Sequence, residues 1–197
     1  MKIIATNTPP VEILNGIRPI LWGLPETSLQ LKRNPFFIPS EKDNFTAKLY
    51  WVVRINRLGK NIAERFAHRY YDEVTIGTIF CNTTKRNDLL SSGHPTYEAY
   101  AFDGAGTIGL YKTIHQINEI KDFTISGRLC KNKIDNICPQ IAHQTIDKIV
   151  HYASQGSTIR QGDLLFIEID QAEYPLILNT NILLCLNKQK ILEINIK

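Results

Sequence analysis

The sequence predicts an α+β fold that is mainly β, with a few short helices at its flanks. Three observations carry that expectation. Runs rich in Val, Ile, Thr, Tyr and Phe recur from residue 46 to the end, bounded by Gly, Pro, Asn and Asp, the signature of strands and turns. Only residues 60–74 and 144–156 space their apolar side chains for a helix. The 197 residues are 43% hydrophobic and 21% charged, the balance of a globular chain with a sizeable core. No repeat, low-complexity tract or linker interrupts it, so one domain over residues 1–197 is the simplest division.

Residues 1–45 read as irregular with short extended pieces, and KRNPFFIPSEKDN sets two prolines among turn-forming residues. TAKLYWVVRI, residues 46–55, reads as a strand. Leu49 and Trp51 share one face, while Lys48 and Tyr50 project together from the other. A long cation beside a phenol is unusual on so apolar a strand. KNIAERFAHRYYDEV, residues 60–74, reads as a helix with Ile62, Phe66 and Tyr70 on one face and Asn61 capping its start.

TIGTIFCNTT is short, apolar and β-branched, a buried strand. Residues 85–100 are polar, are broken by Gly93-His94-Pro95, and read as a loop with at most a helical turn. In AFDGAGTIGLY, Gly104, Gly106 and Gly109 suit turns or close backbone approach, and no strand-to-helix context supports a phosphate loop. DFTISGRLCKNKIDN alternates about Lys131-Asn132-Lys133 as a hairpin. QTIDKIVHYASQG is an amphipathic helix with Ile146, Ile149, Val150 and Ala153 inward and Gly156 as its stop. STIRQGDLLFIEID is a turn and a strand, and NILLCLNKQKILEINIK is a closing hairpin.

The net charge of +4 is mild, and Lys32-Arg33, Lys85-Arg86, Lys188 and Lys190 form no continuous run, which argues against nucleic acid as a partner. Cys81, Cys130, Cys138 and Cys185 form no CxxC pair and have no histidine at zinc-ligand spacing. Three of them lie in or beside apolar strand-like runs, so buried thiols rather than disulfides, in a reducing compartment, are expected. The opening MKIIATNTPPVEIL has no signal-peptide pattern, and no stretch of eighteen apolar residues offers a membrane span. A cytoplasmic protein without membrane contact is expected.

The order of these pieces resembles the fumarylacetoacetate hydrolase family, in its short-chain branch acting on acylpyruvates, oxaloacetate and related 2-oxo acids. Residues 34–89 parallel the family's Pro-Phe segment, Glu-x-Glu strand, Gly-Lys-Asn-Ile turn, helix, and strand ending in Asp-x-Thr-Ala-Arg-Asp. AFDGAGTIG resembles its Lys-x-Phe-Asp-x-x-x-Pro-x-Gly. SGRLCKNKIDN and IVHYASQGSTIRQGDLLF resemble its Val-Asn-Gly hairpin and Leu-x-Pro-Gly-Asp turn. The resemblance implies a mixed β-roll or sandwich with small flanking helices. Residues 46–170 match best, with a divergent segment at 1–45 and a C-terminal hairpin at 171–197. It also implies a homodimer, or a heterodimer with an active relative.

The family's chemistry, as the resemblance implies it, rests on Mg²⁺ or Mn²⁺ held by three carboxylates, two from Glu-x-Glu and one from the first Asp of Asp-x-Thr-Ala-Arg-Asp. Hard cations take such oxygen ligands, and the ion polarises the substrate carbonyl. Anchored on Gly59-Lys60-Asn61-Ile62, the Glu-x-Glu positions hold Lys48 and Tyr50; anchored on Thr84-Lys85-Arg86, the third holds Asn82. At an effective dielectric of about 20, a +1 and a +2 charge 4 Å apart repel by about 8 kcal/mol.

The substrate positions have also changed. The family's lysine before Phe-Asp corresponds to Tyr100, with Asp103 kept; Arg86 is kept, and the Asp after it is Asn87. IEIDQAE replaces a Gly-Thr-Pro that lines the family's site, and of an N-terminal Arg-Asn-Tyr only Asn7 remains. The expectation is a degenerate, non-catalytic binding or regulatory scaffold with no catalytic residue, metal or cofactor. Lys48 would stand in for the cation beside an acid such as Asp103 or Asp88, and a small anion could meet Lys48, Lys85 and Arg86. Two alternatives stay open. One is an active hydrolase, decarboxylase or isomerase on 2-oxo acids whose Mg²⁺ or Mn²⁺ uses other ligands. The other is metal-free Schiff-base chemistry at Lys48.

Overall fold

The computed structural model describes residues 1–30, 34–114, 123–138 and 141–197. Lys32-Arg33 and the first residue of the expected 122–136 hairpin lie outside them. In chain order the elements are β1 (Ile3–Thr6), α1 (Pro10–Leu14), β2 (Leu21–Leu24), β3 (Leu29–Gln30), β4 (Phe45–Ile55) and β5 (Tyr71–Asn82). They continue with α2 (Thr83–Ser91), β6 (Gly106–Ile108), β7 (Lys112–Thr113), β8 (Ile125–Leu129) and β9 (Asn132–Ile137). The chain closes with α3 (His143–Gly156), β10 (Leu164–Glu168), β11 (Tyr174–Pro175), β12 (Asn181–Leu186) and β13 (Gln189–Asn195). The fold is α+β with strands dominant, as the sequence predicts.

A large mixed sheet runs β2-β1-β10-β4-β5-β6-β3, with β11 extending the β4 edge and β7 pairing with β5. The β1–β10 and β3–β6 pairs are parallel, and the other ladders of this sheet are antiparallel. A smaller antiparallel sheet runs β13-β12-β8-β9. The main core gathers one face of β4 (Ala47, Leu49, Trp51, Val53, Ile55) with Leu165 and Ile167 of β10, Ile182 and Leu184 of β12, and Ile146 and Ile149 of α3. The opposite face of the large sheet builds a smaller cluster from Tyr50, Val52, Ile79, Leu164 and Phe166. Strand β4 is buried on both faces because it is central; its period-two alternation sorts side chains between the two clusters.

The amino-terminal segment is more ordered than its composition suggests. Lys2 and Arg160 both donate backbone N–H groups to the buried Asp163 carboxylate, at 2.7 and 2.8 Å. That link seats β1 beside β10. At the other end, Asn187 and Lys188 both have positive φ (49° and 65°) in the two-residue β12–β13 turn, the conformation that matches strand twist.

Three local expectations are corrected. Residues 60–74 do not form one helix: a 3₁₀ segment spans Glu64–Tyr70, and from Tyr71 the chain is already β5, paired along β4. Pairing with β4 along the length of β5 overrides the helical spacing, and of the expected face Phe66 stays exposed. Asn61 caps nothing. Its φ is 52°, its N–H donates to the Ser154 carbonyl, and Ile62 N–H donates to Ser154 Oγ at 2.9 Å, so this turn docks on α3. Within 85–100, residues up to Ser91 are helical, because the Asn82 side chain accepts the Lys85 N–H at 2.9 Å and caps α2.

Gly104, Gly106 and Gly109 stand at G-x-G-x-x-G spacing. They lead into a strand, not a helix, so no helix N-terminus is offered to a phosphate. Cys81 and Cys130 are buried, Cys185 half-buried and Cys138 exposed, all as free thiols. Among the described residues no helix is long and apolar enough to cross a membrane.

Two glycines give opposite predictions. At Gly127, φ is 147° and a Cβ would lie 2.1 Å from the Leu183 carbonyl oxygen; Gly127→Ala should cost about 3 kcal/mol or more in urea denaturation. Gly156 ends α3 without positive φ and with open space around it. Gly156→Ala should therefore stabilise, by about 0.4–1 kcal/mol.

Candidate functional site

Lys48 and Tyr50 rise from the face of β4 that carries the smaller apolar cluster. Glu168, the last residue of β10, is in register with Tyr50, which makes Lys48 its diagonal cross-strand neighbour, a distance a long side chain spans. Lys48 Nζ donates to Glu168 Oε1 at 2.8 Å and lies 3.9 Å from Glu173 Oε1. Arg86, on α2, donates to the same Glu173 oxygen at 2.6 Å. The charges alternate: Glu168, Lys48, Glu173, Arg86. Glu168 is only 3% exposed, so its charge depends on Lys48.

Around this chain of charges sit aromatic groups. Tyr50 packs edge-on to Phe166, with centroids 5.8 Å apart, and its hydroxyl donates to Asn7 Oδ1 at 3.2 Å. Trp22 Nε1 donates to the same Asn7 oxygen at 3.2 Å and its ring lies 5.3 Å from that of Tyr100. Tyr100 also interacts electrostatically with Arg86 and Cys81. Asn7, on the loop after β1, is thereby drawn into the site.

The structure brings together Lys48, Tyr50, Arg86 and Tyr100, and disperses the others. Asn82 spends its oxygen on the α2 cap and its amide on Asp43 Oδ2, at 2.9 Å. Asn87 and Asp103 are exposed. The acids facing Lys48 are Glu168 and Glu173, not Asp103 or Asp88. These two, with Asp170, come from LLFIEIDQAE, and the available signal was an acid inside a buried apolar run followed by two more. The three cations expected to meet a small anion are each paired, Lys85 with Glu98 at 2.7 Å.

This donor set does not fit a divalent cation. An ammonium stands at one of the implied ligand positions. Burial, and then the Glu168 charge, push the Tyr50 phenol well above its ordinary value, so it stays neutral. Among the described residues no three His, Cys, Asp or Glu side chains are grouped to hold a metal. Lys48 Nζ, the group that Schiff-base chemistry would use, is engaged by Glu168 at 2.8 Å.

Burial also pushes Glu168 above its ordinary 4.5, offset by the hydrogen bond and charge of Lys48 and reinforced by Asp170 and Glu173. The hydrogen bond from Arg86 holds Glu173 below the same value. Burial raises Cys81, making it a poor thiolate, and pushes Tyr100 up to about 12.

Breaking a buried pair by removing one partner strands a charge, so Lys48→Met should cost about 3–5 kcal/mol near neutral pH. Adding Glu168→Met should return most of it. In the single variant Glu168 gains a still higher folded pKa, so the folded state holds its proton more tightly than the unfolded. The penalty therefore shrinks as pH falls through the folded pKa of Glu168 towards 4.5, measurable as denaturant midpoints against pH.

No protein-family model matches this sequence, and no curated protein matches it significantly. Solved structures do. A protein from Yersinia pestis CO92 described as a fumarylacetoacetate hydrolase family member superposes with a TM-score of 0.84 at 19% identity, covering 100% of this chain and 92% of that one. A fumarylpyruvate hydrolase from Pseudomonas aeruginosa, in complex with Mn²⁺ and pyruvate, gives 0.79 at 16%, covering 99% and 88%. A 5-carboxymethyl-2-hydroxymuconate delta-isomerase from Mycobacterium smegmatis gives 0.80 at 15%, covering 99% and 78%. Over its whole length, then, this chain has the fold of fumarylacetoacetate hydrolase family proteins.

Proposed function

We propose that this chain is a divergent member of the fumarylacetoacetate hydrolase family that has given up metal-dependent chemistry and serves as a binding or regulatory scaffold. The observation that carries the reading is the Lys48–Glu168 contact at 2.8 Å. One relative in fold is described with Mn²⁺ and pyruvate, so the architecture can present an ion to a 2-oxo acid. Here a covalently attached ammonium supplies the positive charge. It neutralises Glu168 and, with Arg86, Glu173. It thereby fastens β4 to β10 and, through Glu173, to α2.

An ammonium holds strands together but offers no vacant coordination position, so it cannot polarise a substrate oxygen as a metal does. Replacement of the family's implied lysine by Tyr100 and of its Asp by Asn87 removes substrate contacts as well. Self-association, or pairing with an active relative, is the mode of action this reading favours.

The test is a titration of the purified protein with Mg²⁺ and with Mn²⁺, read by calorimetry and thermal shift with and without oxalate. No saturable binding and no rise in Tm are expected. Stoichiometric metal with a clear rise would establish an active site built on other ligands and overturn the reading. The triple variant Lys48→Glu, Tyr50→Glu, Asn82→Asp should gain Mn²⁺ binding; if it folds and gains none, the assigned positions are wrong.

A further inference from the structure

We infer that the turn after β4 and the 3₁₀ segment Glu64–Tyr70 form a peripheral docking surface for an anionic phospholipid bilayer. Residues 56–70 hold four Lys or Arg and one acid, so three of the chain's four net positive charges fall in this one stretch. The cations are spaced along the sequence and are gathered by packing. The Arg57 guanidinium lies 5.9 Å from the centre of the Tyr70 ring, and a Cβ on Gly59 would come within 2.5 Å of that ring. The turn at 57–60 therefore rests on the end of the 3₁₀ segment. Gly59 also bridges Ile159, which brings the exposed Arg160 alongside.

These cations lack acids. Three residues per turn set Phe66 and Arg69 one above the other, and Arg65 and Arg69 both lie over the Phe66 ring, at 4.7 and 4.9 Å from its centre. Two like charges on one ring repel each other, yet among the described residues neither forms an ion pair, nor do Arg57, Lys60 or Arg160. By contrast Arg54, Lys85, Lys133 and Lys190, on other parts of the surface, each hold an acid at 2.7 or 2.8 Å. The one acid of the stretch, Glu64, acts on Asp147 of α3. A guanidinium that stacks on a ring keeps its N–H edge free for oxygen anions, so the missing partner is anionic.

The apolar residues select its kind. Leu58 is 67% exposed between Arg57 and Lys60, and Phe66 is 38% exposed between its two arginines. Apolar side chains ringed by basic ones, on a turn and a single helical segment, match a bilayer interface, which takes the former into the acyl boundary and meets the latter with anionic headgroups. A single-stranded nucleic acid would stack bases on the Phe66 ring, which two arginines already engage. An acidic peptide would answer the cations but not the exposed leucine. The expectation of no membrane contact rests on the lack of a spanning segment, and a peripheral surface needs none. The patch follows Ile55, at the far end of β4 from Lys48, so the inference does not depend on the loss of metal chemistry.

The test is co-sedimentation of the full chain with vesicles of phosphatidylcholine alone and of equimolar phosphatidylcholine and phosphatidylserine, at low and high salt. Binding is expected only with phosphatidylserine and should fall as salt rises. One basic residue near such a surface is worth about fivefold in partitioning, so Arg65→Gln with Arg69→Gln should weaken binding about twentyfold. Lys42→Gln with Lys131→Gln, exposed positions outside the patch, removes the same charge and should change it little. Leu58→Ser, which keeps every charge, should weaken binding about fivefold; it decides the matter if the arginine pair fails to fold by thermal unfolding. The inference is overturned if phosphatidylserine vesicles leave the protein in solution, if the control pair weakens binding as much as the arginine pair, or if Leu58→Ser binds unchanged. Tighter binding to polyglutamate or to single-stranded RNA than to the vesicles would overturn it as well.

Discussion

Everything distinctive about this molecule turns on one buried ion pair, Lys48 to Glu168. It joins adjacent central strands at the point where the large sheet has apolar clusters on both faces. A pair so placed adds little net stability over apolar residues of equal volume, yet removing either half is costly. Its value is positional. Glu173 extends the pair to Arg86 and so to α2, and the alternation of charge leaves neither cation free for an anion. Compared with the arrangement that the family resemblance implies, polarity is inverted: the cation rises from β4, and the acids come from the end of β10 and the loop beyond.

The surroundings follow from that inversion. Tyr50, neutral because burial holds its proton, can pack on Phe166 and still donate to Asn7. Asn7 also takes the indole N–H of Trp22, which ties the first loop of the chain to its central strand. Asp163 does the same work lower in the sheet by holding Lys2 and Arg160. The first part of the segment that reads as irregular is therefore pinned at Lys2, Asn7 and Trp22 by polar contacts rather than by apolar periodicity.

The fold was legible wherever burial sets the pattern. The strand at 46–55, both hairpins and the inward face of α3 declare themselves by alternation or by 3.6-residue spacing, and the buried run at 75–82 by its unbroken β-branched and apolar composition. What misled was local spacing without tertiary context. The run 60–74 carries a helical pattern, but Tyr71–Asn82 finds a full-length partner in β4, and pairing wins. The helix α2 was hidden because its face is polar, and only the Asn82 cap announces it. At the site, Lys48 and Tyr50 were legible as an oddity on an apolar strand. Their acidic partners were not, since Glu168 and Glu173 lie some 120 residues away in sequence and no spacing rule links the two segments.

The central claim is that an ammonium occupies the place of a divalent ion. A crystal soaked in Mn²⁺ and recorded for anomalous scattering tests it most directly. The account predicts no anomalous peak among Lys48, Glu168 and Glu173, with Lys48 Nζ within hydrogen-bond distance of Glu168. A Mn²⁺ peak between those carboxylates, with Lys48 swung away, would contradict it.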